Sequence, residues 1–332
     1  HLPENIENLT HAPLFCSRFG NQIWYCYVFF SLYTFALPVG VLGNIAALLH
    51  YICCKKSWTS SNIFLFNLAL CDFAWLFTIP FSIYFNLQQP SVYNDQTFCQ
   101  FRKIFFNINI YGSISFLTLI SFDRYAGTVH PISSLKWWNT RKAKICSLIV
   151  WMILFLESIP DFFFTFAVKR PDNSTVCLDP MYGPFTYVKT LSILRTLLGF
   201  LIPFIIMFTC YILTVRVLRK RSLRRRSDKP LRLISAAMVV FAVSFIPYHI
   251  MIMTLIILRI KNSINQSNFT VLFATYEFFK AICCISSCLD PILYMLASDN
   301  FQKNCKELKS HPERICCHRR TRRVGDLTVA CN

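Results

Sequence analysis

The stretch ISFDRYAGTVHP, Ile120 to Pro131, sets an acid, a base and a tyrosine (Asp123, Arg124 and Tyr125) directly behind the uncharged run FNINIYGSISFLTLISF. An ion pair at the end of an apolar run has two alternatives, its own neighbour or an outside partner. A pair with two alternatives can serve as a two-state element. Two further acids lie within apolar stretches: Asp72 in FNLALCDFAW and Asp290 in SCLDPILY. An ionisable group at membrane depth is costly, so it usually faces the interior of a bundle. Asn44, Asn109, Ser113 and Ser287 fall at comparable positions. These groups form either one functional polar seam or hydrogen-bonded glue between helices. At the opposite ends of the runs stand Arg102, Lys103, Arg195 and Lys280, cations of the kind that hold phosphate or carboxylate. Asn107, Tyr111, His249 and Tyr276 lie near them and are either pocket polar groups or satisfied core side chains.

Helices must position these residues, and composition says in what solvent. Of 332 residues 55% are hydrophobic and only 15% charged, where soluble domains carry about 25% charged. A helix needs roughly 20 apolar residues to cross the hydrocarbon core. Seven stretches qualify, at 23–52, 62–87, 99–123, 144–166, 188–215, 233–258 and 271–297. The expected fold is all-α: a seven-transmembrane helix bundle with a short amphipathic eighth helix. Residues 1–22 then form an extracellular N-terminal segment, 23–298 the bundle, and 299–332 the amphipathic helix and a basic cytoplasmic tail. In that last segment SDNFQKNCKEL places Phe301, Cys305 and Leu308 among cations, the pattern of a helix in the membrane interface.

The net charge is +18, and most of the 34 lysines and arginines collect on one side of the implied membrane. The positive-inside rule makes that side cytoplasmic and leaves the N-terminus outside. The basic stretch RKRSLRRRSDK lies between two apolar spans, which speaks for topology and attraction to the anionic inner leaflet and against a nucleic-acid partner. The opening HLPENIENLTHAP lacks the basic region and apolar core of a signal peptide, so the first helix is expected to do the targeting. Glycosylation sequons at Asn8, Asn173, Asn265 and Asn268 all fall on the side placed outside. Most of the 16 cysteines lie in apolar spans or at the cytoplasmic face. Cys99, opening the third span, and Cys177, in the long outer loop, are different: a bridge between them would hold that loop over the bundle mouth. Cys316 and Cys317 follow the amphipathic segment among cations, the setting of S-palmitoylation, with free thiols as the alternative. Cys331 has one residue after it and cannot be a prenylation site. Prolines at Pro38, Pro80, Pro160, Pro203, Pro247 and Pro291 are expected to kink their spans.

GNIAALL in the first span, LFNLALCD in the second, DRY with Cys99 upstream in the third and Trp151 in the fourth occur in order. Pro203 with Tyr211, FAVSFIPYH, and DPILY followed by Phe301 complete the set. Together they resemble the class A, rhodopsin-like G protein-coupled receptors over all but the termini. The resemblance implies a multi-pass plasma-membrane receptor that activates a heterotrimeric G protein, of the Gq or Gi type, through Asp123, Arg124 and Tyr125. It implies that Tyr211 and Tyr294 stabilise the released state, with Phe245, Pro247, Asp290 and Pro291 taking part in activation. It also implies an allosteric sodium site of Asp72, Asn109, Ser113 and Asp290, and no other cofactor. Ser244-Phe245-Ile246-Pro247 stands where most relatives carry Cys-Trp-x-Pro. With SSNIFLFNLAL and the Asp of DPILY, this resembles the purinergic receptors and their kin for succinate and oxoglutarate.

In that group Lys103 and Lys280 match cations that clamp anionic groups, whereas the sixth-helix cation falls at Ile252. Arg195 is expected either to substitute from a neighbouring wall or to snorkel to the interface. Pairing of the lysines with Glu277 or Asp179 is the alternative that needs no ligand. Residues 259–279 hold no cysteine, so a clamp from Cys16 to the third outer loop is absent or Cys16 pairs elsewhere. The expected ligand is a small extracellular anion, a nucleotide first, with a dicarboxylate, lipid or peptide as alternatives. Related halves around a midplane site, the mark of many transporters, are not visible. Cys284 stands where an opsin needs its Schiff-base lysine, and no nucleophile and base cluster marks an enzyme.

Overall fold

The computed structural model describes residues 23–53, 58–80, 95–169, 175–178, 185–220 and 228–297. Asn8, Cys16, Asn173, Asp179, Cys316, Cys317 and the expected eighth helix lie outside these residues. Among the described residues seven long helices are present: α1 (Ile23–Cys53), α2 (Ser60–Leu76) and α3, built of Asp95–Asn107, a π-helical turn Ile108–Gly112 and Ser113–Val129. They continue with α4 (Thr140–Phe164) and α5, which joins Phe185–Leu194, a π-helical stretch Arg195–Leu201 and Ile202–Lys220. Last come α6 (Lys229–Ile260) and α7 (Gln266–Ala297).

Side-chain caps start three of them. Thr59 Oγ1 accepts from the Asn62 amide at the head of α2, and Asn139 Oδ1 from the Lys142 amide at the head of α4. Asn265 and Asn268 cap α7 reciprocally: each side-chain oxygen accepts the other's backbone N–H, at 3.0 and 2.9 Å. Two of the four sequon asparagines therefore also serve as a helix start. Pro38, Pro160, Pro247 and Pro291 sit inside continuous helices. At Pro203 the missing N–H would leave the Gly199 carbonyl without its helical donor, and the preceding turn is π-wound, with Ile202 N–H reaching Leu197 O.

The bundle buries an apolar core as a soluble domain does, but it also turns apolar side chains outward and keeps its polar groups inside. Leu148, Met152, Phe155, Leu156 and Phe163 of α4 and Leu198, Ile202 and Ile205 of α5 are exposed, while Asn44, Asp72, Asn109, Ser113 and Asp290 are each 0% exposed. All seven helices are long and apolar enough to cross a bilayer. A helix satisfies its own backbone in lipid, so polar side chains are left to meet one another inside. Between α4 and α5 an antiparallel hairpin, β1 (Phe166–Lys169) and β2 (Thr175–Leu178), sets Ala167 opposite Cys177. It packs on the outer end of α3. Gln96 fastens it there, donating to Thr165 O and accepting from Ala167 N, both at 2.7 Å. Cys99, on that same end of α3, is disulfide-bonded.

Candidate functional site: the outer cavity and the polar seam beneath it

A cavity opens between α3, α5, α6 and α7. Lys103, Asn107 and Tyr111 line it because a spacing of four stacks them on one face of α3. Arg195 closes the α5 side, Tyr248 and Ile252 the α6 side, and Tyr276 the α7 side. Five of the eight residues expected to bind ligand thus meet here, and Ile252 forms an apolar wall where a cation was sought. Sequence reasoning missed Tyr187, Ser192 and Tyr248, which also line it. Arg102, Lys280 and His249 are not among the lining residues.

The charges are arranged differently from the expectation for Arg195. Its Nε lies 2.5 Å from Glu157 Oε1 and its Nη2 2.5 Å from Asp161 Oδ2, both on α4. Asn107 Nδ2 also donates to Asp161. Arg195 therefore neither snorkels nor stands ready as a substitute anchor. The reason is that Glu157 and Asp161, one turn apart on α4, face it across the α4 and α5 interface. Lys280 Nζ lies 3.3 Å from Glu277 Oε1, which realises the internal pairing left open for it. Lys103 and Lys280 Nζ stand 5.4 and 5.3 Å from the centroid of the same Phe106 ring.

Below the cavity His249 is buried. Its Nδ1 lies 2.8 Å from Phe245 O, which can only accept, so Nε2 is left to accept from the Tyr111 hydroxyl at 3.4 Å. Phe200 stacks on His249 at 4.3 Å and on Phe241 at 5.4 Å, and Phe241 meets Phe245 at 5.7 Å. An unbroken aromatic column therefore leads from the cavity floor to Phe245.

The polar seam follows. Asn109 Nδ2 donates to Ser287 Oγ at 3.0 Å, Ser287 Oγ to Asp72 Oδ1 at 3.1 Å, and Tyr294 Oη to Asn44 Oδ1 at 3.0 Å. Asn44 Nδ2 reaches the carbonyls of Gly40 and Ser287 at 2.9 and 2.8 Å. Both Asp290 carboxylate oxygens, Ser113 Oγ and Asn109 Oδ1 are buried without a hydrogen-bond partner. Asp290 and Ser113 lie against the Asp72 carboxylate. Unsatisfied oxygens beside two buried carboxylates have the donor chemistry that a hard cation requires.

At the cytoplasmic end Asp123 accepts from Ser61 Oγ and, at 2.7 Å, from Trp138 Nε1, whereas Arg124 Nε stays 3.8 Å away. The acid is thus anchored mainly by α2 and by the segment after the short helix Ser134–Trp137, and neither partner was named from sequence. Along the chain Ser61 and Trp138 are ordinary polar and aromatic residues; only their meeting at Asp123 gives them a role. Tyr125 Oη meets His130 Nε2 at 3.2 Å, and Tyr211 is half-buried on α5.

The sequence profile of the 7 transmembrane receptor (rhodopsin family) matches residues 43–294. That range runs from Gly43 at the seam to Tyr294 within it. The chain belongs to this family. It is a rhodopsin-family G protein-coupled receptor of the plasma membrane, and not an enzyme. Among its relatives, purinoceptor 1 of Cavia porcellus is 31% identical over 304 residues, 88% of this chain and 79% of its own length. Purinoceptor 1 of Homo sapiens is 31% identical over 283 residues, 82% of this chain and 74% of its own. Succinate receptor 1 of Mus musculus is 33% identical over 282 residues, 83% of this chain and 88% of its own. The receptor thus stands in the purinergic and succinate group.

Proposed function

We propose that this receptor senses a small extracellular anion, a nucleotide before a dicarboxylate, in the cavity between α3, α5, α6 and α7. The observation that carries the reading is the convergence of Lys103 and Lys280 on one Phe106 ring beside a cavity walled by tyrosines. Two ammonium groups over an aromatic ring suit a compact anion, and tyrosine faces suit a planar body. The names of its purinoceptor and succinate-receptor relatives point the same way. In the same reading Asp72, Asp290, Ser113 and Asn109 hold a sodium ion, which offsets one of the two carboxylate charges and ties α2, α3 and α7 together.

Ligand contact at Tyr111 then disturbs its bond to His249 and hence the aromatic column above Phe245. α6 shifts, Arg124 leaves Asp123, and a heterotrimeric G protein of the Gq or Gi type engages the freed end. The test is a panel of nucleotides, dicarboxylates and lysolipids on cells expressing the chain, with calcium and cAMP read in parallel. Lys103→Ala and Lys280→Ala are expected to raise the agonist concentration required at least tenfold, on the order of 1.4 kcal/mol, at unchanged surface expression. The Glu277 pairing supports a rival role for Lys280 as a neutralising partner. Restoration by Lys280→Ala with Glu277→Gln at unaltered agonist potency would favour that rival and remove Lys280 from the ligand site.

A further inference from the structure

Arg195 belongs both to the cavity wall and to the α4 carboxylates, and its donor inventory limits what it can offer. A guanidinium has five N–H donors. Four are committed: Nε to Glu157 Oε1 at 2.5 Å, Nη1 to Asp161 Oδ1 at 3.3 Å, and Nη2 to Asp161 Oδ2 at 2.5 Å and Glu157 O at 3.0 Å. One N–H, on Nη1, is left over. The formal charge of Arg195, Glu157 and Asp161 together is negative, one cation against two carboxylates. Asp161 is 0% exposed and the Arg195 side chain 11%, so solvent screens this group little.

We infer that Glu157 and Asp161 are selectivity residues that convert Arg195 from an anion anchor into a single hydrogen-bond donor set in a locally negative wall. The α5 side of the cavity then accepts the uncharged, hydrogen-bonding part of a ligand and repels negative charge extended along it. A ligand with one compact anionic group at the Lys103 and Lys280 end and a planar neutral body against Tyr111 and Arg195 satisfies every wall. An extended polyanion does not, because its far charges would approach the α4 carboxylates that stand behind Arg195, although neither carboxylate lines the cavity itself. This rests on the cavity being the ligand site, as proposed above. It differs in kind from that proposal, since it assigns the excluding residues.

The experiment uses the purified full chain in lipid nanodiscs, with pyrophosphate as probe and sodium chloride of equal ionic strength and sodium content as control. Thermal stability is titrated for the wild type and for Glu157→Gln and Asp161→Asn. Removing one carboxylate charge weakens the hold on Arg195, although the amide oxygen that replaces it can still accept, and cancels the local excess of negative charge. Each variant is expected to bind pyrophosphate at least tenfold more tightly than the wild type. Adding Arg195→Gln to either variant is expected to abolish the gain. Equal pyrophosphate affinity in all three chains, or a gain that survives Arg195→Gln, overturns the inference. Should Asp161→Asn fail to fold, Glu157→Gln decides alone, because it leaves both Asp161 contacts to the guanidinium in place. Failure of the ligand reading is seen separately, in agonist potencies of the Lys103 and Lys280 variants, since pyrophosphate titration requires no agonist.

Discussion

At the scale of single residues, Asp290 is the most informative acid in the receptor. Both its carboxylate oxygens are buried beside the Asp72 carboxylate and make no hydrogen bond of ordinary geometry, a condition relieved either by a proton or by a bound cation. Sodium is therefore expected to stabilise the protein. At a concentration about tenfold above its dissociation constant the linkage amounts to about 1.4 kcal/mol. Melting of the purified receptor should occur at a higher temperature in sodium chloride than in choline chloride, and Asp290→Asn should erase the difference. Identical melting of the wild type in both salts would show that no sodium site operates. The residue types of this seam were legible in the sequence because acids and amides stand out against an apolar background. Which oxygens lack partners was not, since that depends on where Ser287 and Tyr294 send their protons.

The elements matter through their irregularities. α3 and α5 both carry π-helical turns, Ile108–Gly112 and Arg195–Leu201, and the two turns meet. A Cβ on Gly199 would lie 2.9 Å from Tyr111 Cδ1, so only glycine lets α5 approach this ring so closely. The hydroxyl of this ring reaches His249 on α6. A long neutral hydrogen bond of this sort contributes about 0.5–1.5 kcal/mol. Tyr111→Phe keeps the ring and removes only the donor. Basal nucleotide exchange by the G protein, normalised to receptor at the surface, is expected to rise about two- to tenfold. The same substitution in a His249→Asn background should add nothing further. Additive effects of the two changes would mean that the residues act separately. The interior prolines were visible in the sequence and led to an expectation of kinks. A π turn ahead of Pro203 requires knowing which carbonyl lacks its donor and what packs beside it, and that is a tertiary matter.

Over the whole molecule, the outer hairpin and the inner basic face give the bundle its orientation. Cys99 is disulfide-bonded, and β2, which carries Cys177, packs on the same end of α3. We expect Cys177 to be the partner. A closed loop between these positions would stabilise the receptor by about 3–5 kcal/mol in chain-entropy terms. Cys177→Ser should therefore abolish most surface expression or ligand response, and a peptide map of the mature wild type should recover the two cysteines in one linked fragment. Recovery of Cys177 as a free thiol would contradict the pairing.

Sequence alone determined the class of solvent and the number of spans, and led to the expected orientation of the bundle. These follow from composition, span length and the side on which cations collect, all of which are properties read along the chain. It also identified Asp72, Asp123, Arg124 and Asp290 by their cost in an apolar setting. Only the tertiary structure decided who neutralises whom. Arg195 looked like a spare cation because Glu157 and Asp161 lie 38 and 34 residues away in the chain. Asp123 looked committed to Arg124, its sequence neighbour, yet Ser61 and Trp138 hold it more closely. Coulomb and hydrogen-bond energies depend on separation in space over a few ångströms. Packing of the helices fixes that separation, and distance along the chain does not report it.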